Sequence, residues 1–237
     1  MSTFQFKQFN IEQDKTAMKV GTDGVLLGAW APLNNSPYSI LDIGAGTGLI
    51  ALMLAQRGHA EQIDALEIDD DAYEQAVDNF ENSPWADRLF CYHAGLDEFM
   101  EEPEDEYDLI VSNPPFYTED YTSGNEQRDT ARFAASLPFE DLAEAAGLLL
   151  SEKGVFCTVL PYKEEEHFIA LMKAENLFPF KITRVKGTPN TEVKRSLMAF
   201  GWQDTASLTI DELVIETGRH QYTPEYIELT KDFYLKM

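Results

Sequence analysis

A mostly parallel α/β sheet of seven strands, with helices on both faces and an antiparallel hairpin at one edge, is the fold this sequence predicts. Three observations carry it. From residue 39 onward, short aliphatic runs alternate with stretches of helical periodicity. A glycine-rich turn stands where the first run passes into the first of those helices. The last two runs follow one another with no helix between them, which predicts antiparallel pairing.

Taken in order, GTDG (21–24) is a turn that supplies an N-cap and small polar groups to a short helix over 25–30. SILDI (39–43) is a strand and LIALMLAQRG (49–58) an amphipathic helix stopped by Gly58. IDALEI (63–68) is the second strand, DAYEQAVDNFE (71–81) a helix broken at Ser83-Pro84, and LFCYH (89–93) the third strand. YDLIVS (107–112) is the fourth, halted by Asn113-Pro114-Pro115. A helix over 138–150 leads to GVFCTVLP (154–161), then a helix over 163–176, and strands at 180–187 and 194–202 complete the sheet. Without repeats, low-complexity tracts or linkers, 1–237 reads as a single domain, with 1–37 as an N-terminal elaboration.

The 237 residues, 44% hydrophobic, suffice to bury about 70–75% of the unfolded surface in one core. No run approaches the ~20 apolar residues of a membrane helix. The N-terminus lacks a basic region followed by an apolar one, so a cytoplasmic protein is expected. Cys91 and Cys157 read as buried reduced thiols. His59, His93, His167 and His220 have no ligand-like spacing, so no metal is expected, nor is there a G-x-S-x-G nucleophile elbow. A monomer is expected.

The net charge of −24 argues at first against a nucleic-acid partner. Its distribution matters more. Acidic residues crowd 61–108, whereas Lys181, Arg184, Lys186, Lys194 and Arg195 stand against one acid, Glu192, within 181–195. A domain of this length has a radius of gyration of about 18 Å, while charges are screened beyond about 8 Å at physiological salt. A local basic patch can therefore meet phosphate despite the total, although solvated surface explains both runs equally well.

LDIGAGTG (41–48) is the first constellation with chemistry in it. Gly44, Gly46 and Gly48 permit close approaches that a Cβ would block, and the helix behind them offers free amides to an anionic group. Glu67 ends the second strand, where a carboxylate can accept hydrogen bonds from ribose hydroxyls. A nicotinamide site would call for G-x-G-x-x-G. The spacing here, D-x-G-x-G-x-G from Asp42, resembles motif I of class I (Rossmann-like) S-adenosyl-L-methionine methyltransferases. That likeness implies the cofactor and assigns Asp42, Gly44, Gly46, Gly48 and Glu67 to its binding. Members often carry an Asp just after strand three against the cofactor adenine; here Gly95 takes that place, and Asp97 or backbone is left to substitute.

NPPF (113–116) is the second constellation, at the carboxyl edge of the sheet where ligands bind in open α/β folds. Pro114 pushes Asn113 toward extended backbone and the paired prolines stiffen the segment. The Asn113 side chain and the Pro114 carbonyl can then accept both hydrogens of a planar amino group. Phe116 offers a flat surface to the ring bearing it, with stacking worth ~1–3 kcal/mol per base. A glutamine side-chain amide presents the same two hydrogens, so protein methylation is the alternative; a non-catalytic nucleotide- or RNA-binding module is a third reading.

The flanks FKQFNIEQDKTAMKVGTDGVLLGAWA (6–31) and YTPEYIELTKDFYLKM (222–237), with VSNPPF, RDTARF, SLPFEDL and KRSLM between them, resemble the bacterial tRNA1(Val) adenine-37 N(6)-methyltransferase family along nearly the whole chain. The resemblance implies a class I methyltransferase acting on tRNA and brings Thr22 and Asp23 to the cofactor site. Phe133 stands where related RDTARF segments usually have His. Arg128 and Arg132 in that segment, with Lys186, Lys194 and Arg195, are the expected RNA-binding cations, joined by Lys7, Lys15 and Lys19.

Overall fold

The computed structural model describes residues 3–16, 18–101, 106–115, 137–204 and 207–237. Strands β1 (Thr3–Gln5) and β2 (Asn10–Glu12) form an N-terminal hairpin, followed by helix α1 (Thr22–Trp30). The main alternation comprises β3 (Ser39–Ile43), α2 (Leu49–Arg57), β4 (Gln62–Glu67), α3 (Asp70–Glu81), β5 (Leu89–His93), α4 (Leu96–Glu101) and β6 (Tyr107–Ser112). It continues through α5 (Phe139–Leu149), β7 (Leu150–Pro161), a 3-10 turn (Tyr162–Glu164), α6 (Glu165–Ala174), β8 (Phe178–Lys186), β9 (Val193–Gly201) and β10 (Thr209–Val214). Strands β11 (Glu216–Gly218) and β12 (Gln221–Tyr222) and helix α7 (Pro224–Thr230) follow.

The sheet runs β10-β8-β9-β7-β6-β3-β4-β5, with β9 antiparallel to both its neighbours. It has eight strands rather than the expected seven. The hairpin is not the edge: β9 inserts between β7 and β8, and β10 pairs parallel outside β8. That strand escapes a pattern search because most of its residues are exposed, so it carries little of the apolar signal that marks a strand.

Buried parallel strands send alternate residues to opposite faces. In β7, Phe156 and Leu160 join the core beneath α5 and α6, with Leu142, Leu149 and Phe168. Cys157 and Val159 join the core beneath α1 and α2, with Leu27, Ile50 and Met53. Helices thus cover both faces, as expected.

The chain ends are joined on the α1–α2 side. Phe6 bridges to Tyr234, and Phe9, Phe6 and Tyr234 stack at centroid distances of 4.7 and 5.9 Å. Asn79 of α3 donates to the carbonyls of Glu12 (3.0 Å) and Thr47 (2.9 Å). One side chain therefore ties the N-terminal hairpin to the glycine turn, and the chain enters α1 from there. Lys7 and Lys15 serve this packing: Lys7 Nζ donates to backbone carbonyls of Lys231 and Met237, and Lys15 pairs with Glu74 at 2.9 Å. Among the described residues, no helix is long and apolar enough to cross a membrane.

Candidate active site

Gly44, Gly46 and Gly48 have φ of 73°, 58° and 76°. These left-handed values cost other residues roughly 1–2 kcal/mol each. The three glycines do two different jobs. A Cβ on Gly44 or Gly46 would meet nothing within 4 Å, so these positions face open space. A Cβ on Gly48 would lie 2.4 Å from Phe80 Cε1. Gly48→Ala should destabilise the fold by about 1–3 kcal/mol beyond Gly44→Ala, the cost of overpacking added to the same backbone strain. Thermal unfolding of both variants checks this; equal losses would remove the packing role.

Asp42 lies behind the turn with no exposed surface. Its Oδ2 accepts from the Ala51 N–H at 3.1 Å, bracing the first turn of α2, while Oδ1 is buried without a hydrogen-bond partner. Burial pushes its carboxyl pKa up to about 7; the Ala51 bond opposes the shift and the Glu67 charge adds to it. Glu67, 9% exposed at the end of β4, accepts from Gly46 N–H at 2.7 Å and Asp69 N–H at 2.9 Å. Each carboxylate oxygen keeps a second lone pair for a ligand hydroxyl.

Next to Glu67, Ile68 is 53% exposed, an apolar side chain at the mouth of the site that no sequence pattern marks. Asp97, in the first turn of α4, folds back over Gly95: a Cβ on Gly95 would lie 2.5 Å from Asp97 Oδ1. A carboxylate two residues downstream thus lies beside the position where the expected acid is missing.

Asn113, Pro114 and Pro115 follow directly on β6. Ser112, paired with Ile43 in parallel register, donates to the Ile43 carbonyl at 2.9 Å, which locks the end of β6 to the start of the glycine turn. Asn113 is half-buried and Pro114 buried. Helix α1 crosses in front: a Cβ on Gly24 would lie 3.1 Å from Leu49 Cδ2 and 3.9 Å from Asn113 Nδ2. The first turn of α1, the first turn of α2 and Asn113 therefore share one small space. Phe116, Arg128, Arg132 and Phe133 lie outside the described residues.

Helix α1 begins at Thr22, three residues before the expected start. Its N-cap is Gly21, and no side chain caps it. Thr22 and Asp23 belong to the first turn instead. Asp23 Oδ2 accepts from Arg195 Nε at 2.8 Å, which holds the carboxylate away from the helix amides. The expected basic cluster is largely engaged as well. Lys186 pairs with Glu212 at 2.7 Å, Arg184 pairs with Glu165, and Lys181 lies 4.4 Å from the centroid of the Trp30 ring. Lys194 is exposed. A concavity of about 500 Å³ lined by Phe180, Trp202 and Thr209 sits where β8 and β10 start, the opposite edge from Glu67 and Asn113.

A glycine turn between β3 and α2, an acid ending β4 and an Asn-Pro-Pro after β6 fit a nucleoside cofactor at the carboxyl edge: the space over Gly44 and Gly46 is open, and Glu67 borders it through the bond it accepts from Gly46 N–H. This is the class I fold of S-adenosylmethionine-dependent methyltransferases. The methyltransferase small domain family matches residues 25–167. The fold is shared with a predicted O-methyltransferase from Agrobacterium tumefaciens at a TM-score of 0.67 and 21% identity, covering 89% of this chain and 96% of that one. The tRNA1(Val) (adenine(37)-N6)-methyltransferase of Flavobacterium johnsoniae is 72% identical over 99% of this chain and 100% of its own length. That of Christiangramia forsetii is 61% identical over 99% of this chain and 98% of its own. The chain belongs to this tRNA1(Val) (adenine(37)-N6)-methyltransferase family.

Proposed function

We propose that this chain transfers a methyl group from S-adenosyl-L-methionine to the exocyclic amino nitrogen of an adenine in tRNA, adenine 37 of tRNA1(Val). The position of Asn113 and Pro114 beside the glycine cradle carries this reading. When bound, the cofactor supplies an electrophilic methyl on a sulfonium. The chain's own residues do the rest. The Asn113 side-chain oxygen and the Pro114 carbonyl accept the two N–H groups of the target. An adenine amino group is a poor nucleophile because its lone pair is delocalised into the ring. As that nitrogen becomes tetrahedral and positive, its N–H groups donate more strongly, so fixed acceptors favour the transition state over the ground state. Orientation by stiff backbone adds the effect of proximity. No general base is required before transfer. Phe116 is the proposed stacking surface for the base, and Arg128, Arg132, Lys186, Lys194 and Arg195 the proposed tRNA contacts.

On the cofactor side, Gly44 and Gly46 line its path, Glu67 accepts from its ribose and Asp97 from its adenine amino group. Asp42 acts from behind the turn, and Thr22 and Asp23 close the site from α1. A single methyltransferase domain with 1–37 as its N-terminal elaboration, working as a cytoplasmic monomer without metal, completes the reading. Glu67→Ala should weaken cofactor binding by about 1.5–3 kcal/mol, read by calorimetric titration; a change near zero would remove the ribose role.

The direct test is incubation with labelled cofactor and total tRNA from a strain lacking the gene, followed by nucleoside analysis. Label in N6-methyladenosine of a valine tRNA is expected. Label in a protein glutamine, with none in RNA, would overturn the proposal.

A further inference from the structure

We propose that Tyr162 and Arg184 form a second base-binding platform beside the catalytic tetrad, holding an unpaired nucleobase next to the target adenine; this rests on the tRNA reading above. Sheet register places the platform. Ser112, the last residue of β6, pairs with Thr158 of the neighbouring parallel strand β7, and β7 runs on to Pro161 at the same carboxyl edge of the sheet. Tyr162 follows immediately. It is 41% exposed, a large ring left in solvent at the carboxyl edge of the sheet.

What lies under that ring is built rather than incidental. The Arg184 guanidinium sits 5.3 Å from the Tyr162 centroid. Glu165 grips it through Nη2 at 2.7 Å and Nε at 3.3 Å. Glu165 is itself 3% exposed and accepts from Ser196 Oγ of β9. Burying a carboxylate is costly, and apolar residues of similar volume often pack as stably. Orienting a guanidinium is what this arrangement adds. Among the described residues Arg184 Nη1 makes no hydrogen bond, so the fork keeps donors for a carbonyl or ring-nitrogen acceptor on a base.

The neighbouring charges identify the ligand as a base rather than a phosphate. Glu164 and Glu166 follow Tyr162 closely in the chain, and the nearby cation Lys163 lies 3.7 Å from Glu164. An aromatic ring backed by a guanidinium in acidic surroundings favours stacking over backbone contact. The physical need is plain: extracting the target adenine unstacks its neighbour too, and a ring one strand away restores that lost contact.

The test is steady-state kinetics and binding of the full-length enzyme with a tRNA transcript, at several salt concentrations, for Tyr162→Ala, Tyr162→Leu and Tyr162→Phe. Stacking predicts that Ala and Leu raise KM for tRNA about tenfold or more, that Phe restores it, and that the slope of affinity against salt holds because no counterion is involved. Cofactor affinity and melting temperature serve as controls for folding. Wild-type KM in the Ala variant, restoration by Leu, or a changed salt slope would each overturn the platform. If the wild-type enzyme methylates no tRNA, it is the proposed function that has failed.

Discussion

Asn113→Ala is expected to lower turnover by about 10²–10³-fold, the usual consequence of removing one positioned hydrogen-bonding group at a transition state, while cofactor affinity holds. The structure explains why the two should separate. Asn113 follows Ser112, whose hydroxyl anchors the end of β6 to β3 without involving the asparagine side chain. The glycine turn is maintained by other bonds, from Gly44 and Ala45 N–H to Leu66 O and from Gly46 N–H to Glu67. Truncating Asn113 therefore leaves the cradle standing. Because its acceptor acts on a charge that develops only during transfer, kcat and kcat/KM should fall together. Single-turnover kinetics with saturating cofactor, alongside calorimetric titration, separate these effects. A parallel loss of cofactor binding would make Asn113 a structural residue.

The second expected result concerns stability. For Asp42→Asn, the stability difference from wild type should shift in favour of Asn by on the order of 4 kcal/mol between pH 4 and pH 8. Burial raises the folded pKa of Asp42 to about 7 from an ordinary 3.8. Between those values the folded state holds a proton that the unfolded state has released, so wild-type stability falls as pH rises, and above about 7 the full penalty applies. Asparagine keeps an oxygen for the Ala51 N–H and removes the charge. Its amide hydrogens enter the buried space where Oδ1 has no partner, which costs about 1–3 kcal/mol at every pH. The pH slope is therefore the diagnostic quantity, followed by thermal or urea unfolding of both proteins. A difference independent of pH would show that Asp42 is ionised in the fold at low cost.

These two residues also illustrate how much the sequence disclosed. Asn113 was legible as a position at the end of a strand, because two prolines after it leave few backbone choices. Asp42 was legible as part of a spacing, but its location behind the turn was not. The three glycines look equivalent in the string, yet Gly48 is set by Phe80, a residue on α3. Gly95 and Asp97 make the opposite point. Where an acid is missing at one position, the carboxylate that lies beside it comes from the helix α4, which is too short to show periodicity. The basic cluster at 181–195 was visible as a run of charge; Asp23, Glu165 and Glu212, which engage three of its members, come from distant segments or a neighbouring strand.

By itself, then, the sequence determined the alternation of strands and helices, the glycine turn, the acid ending β4 and the Asn-Pro-Pro after β6, because each depends on residues within a few positions of one another. The tertiary structure decided which cations are paired, which glycine packs and which face open space, where β9 and β10 enter the sheet, and that α1 lies across Asn113. Those outcomes depend on contacts between segments tens to more than a hundred residues apart, whose geometry is set only when the sheet closes and buries both faces.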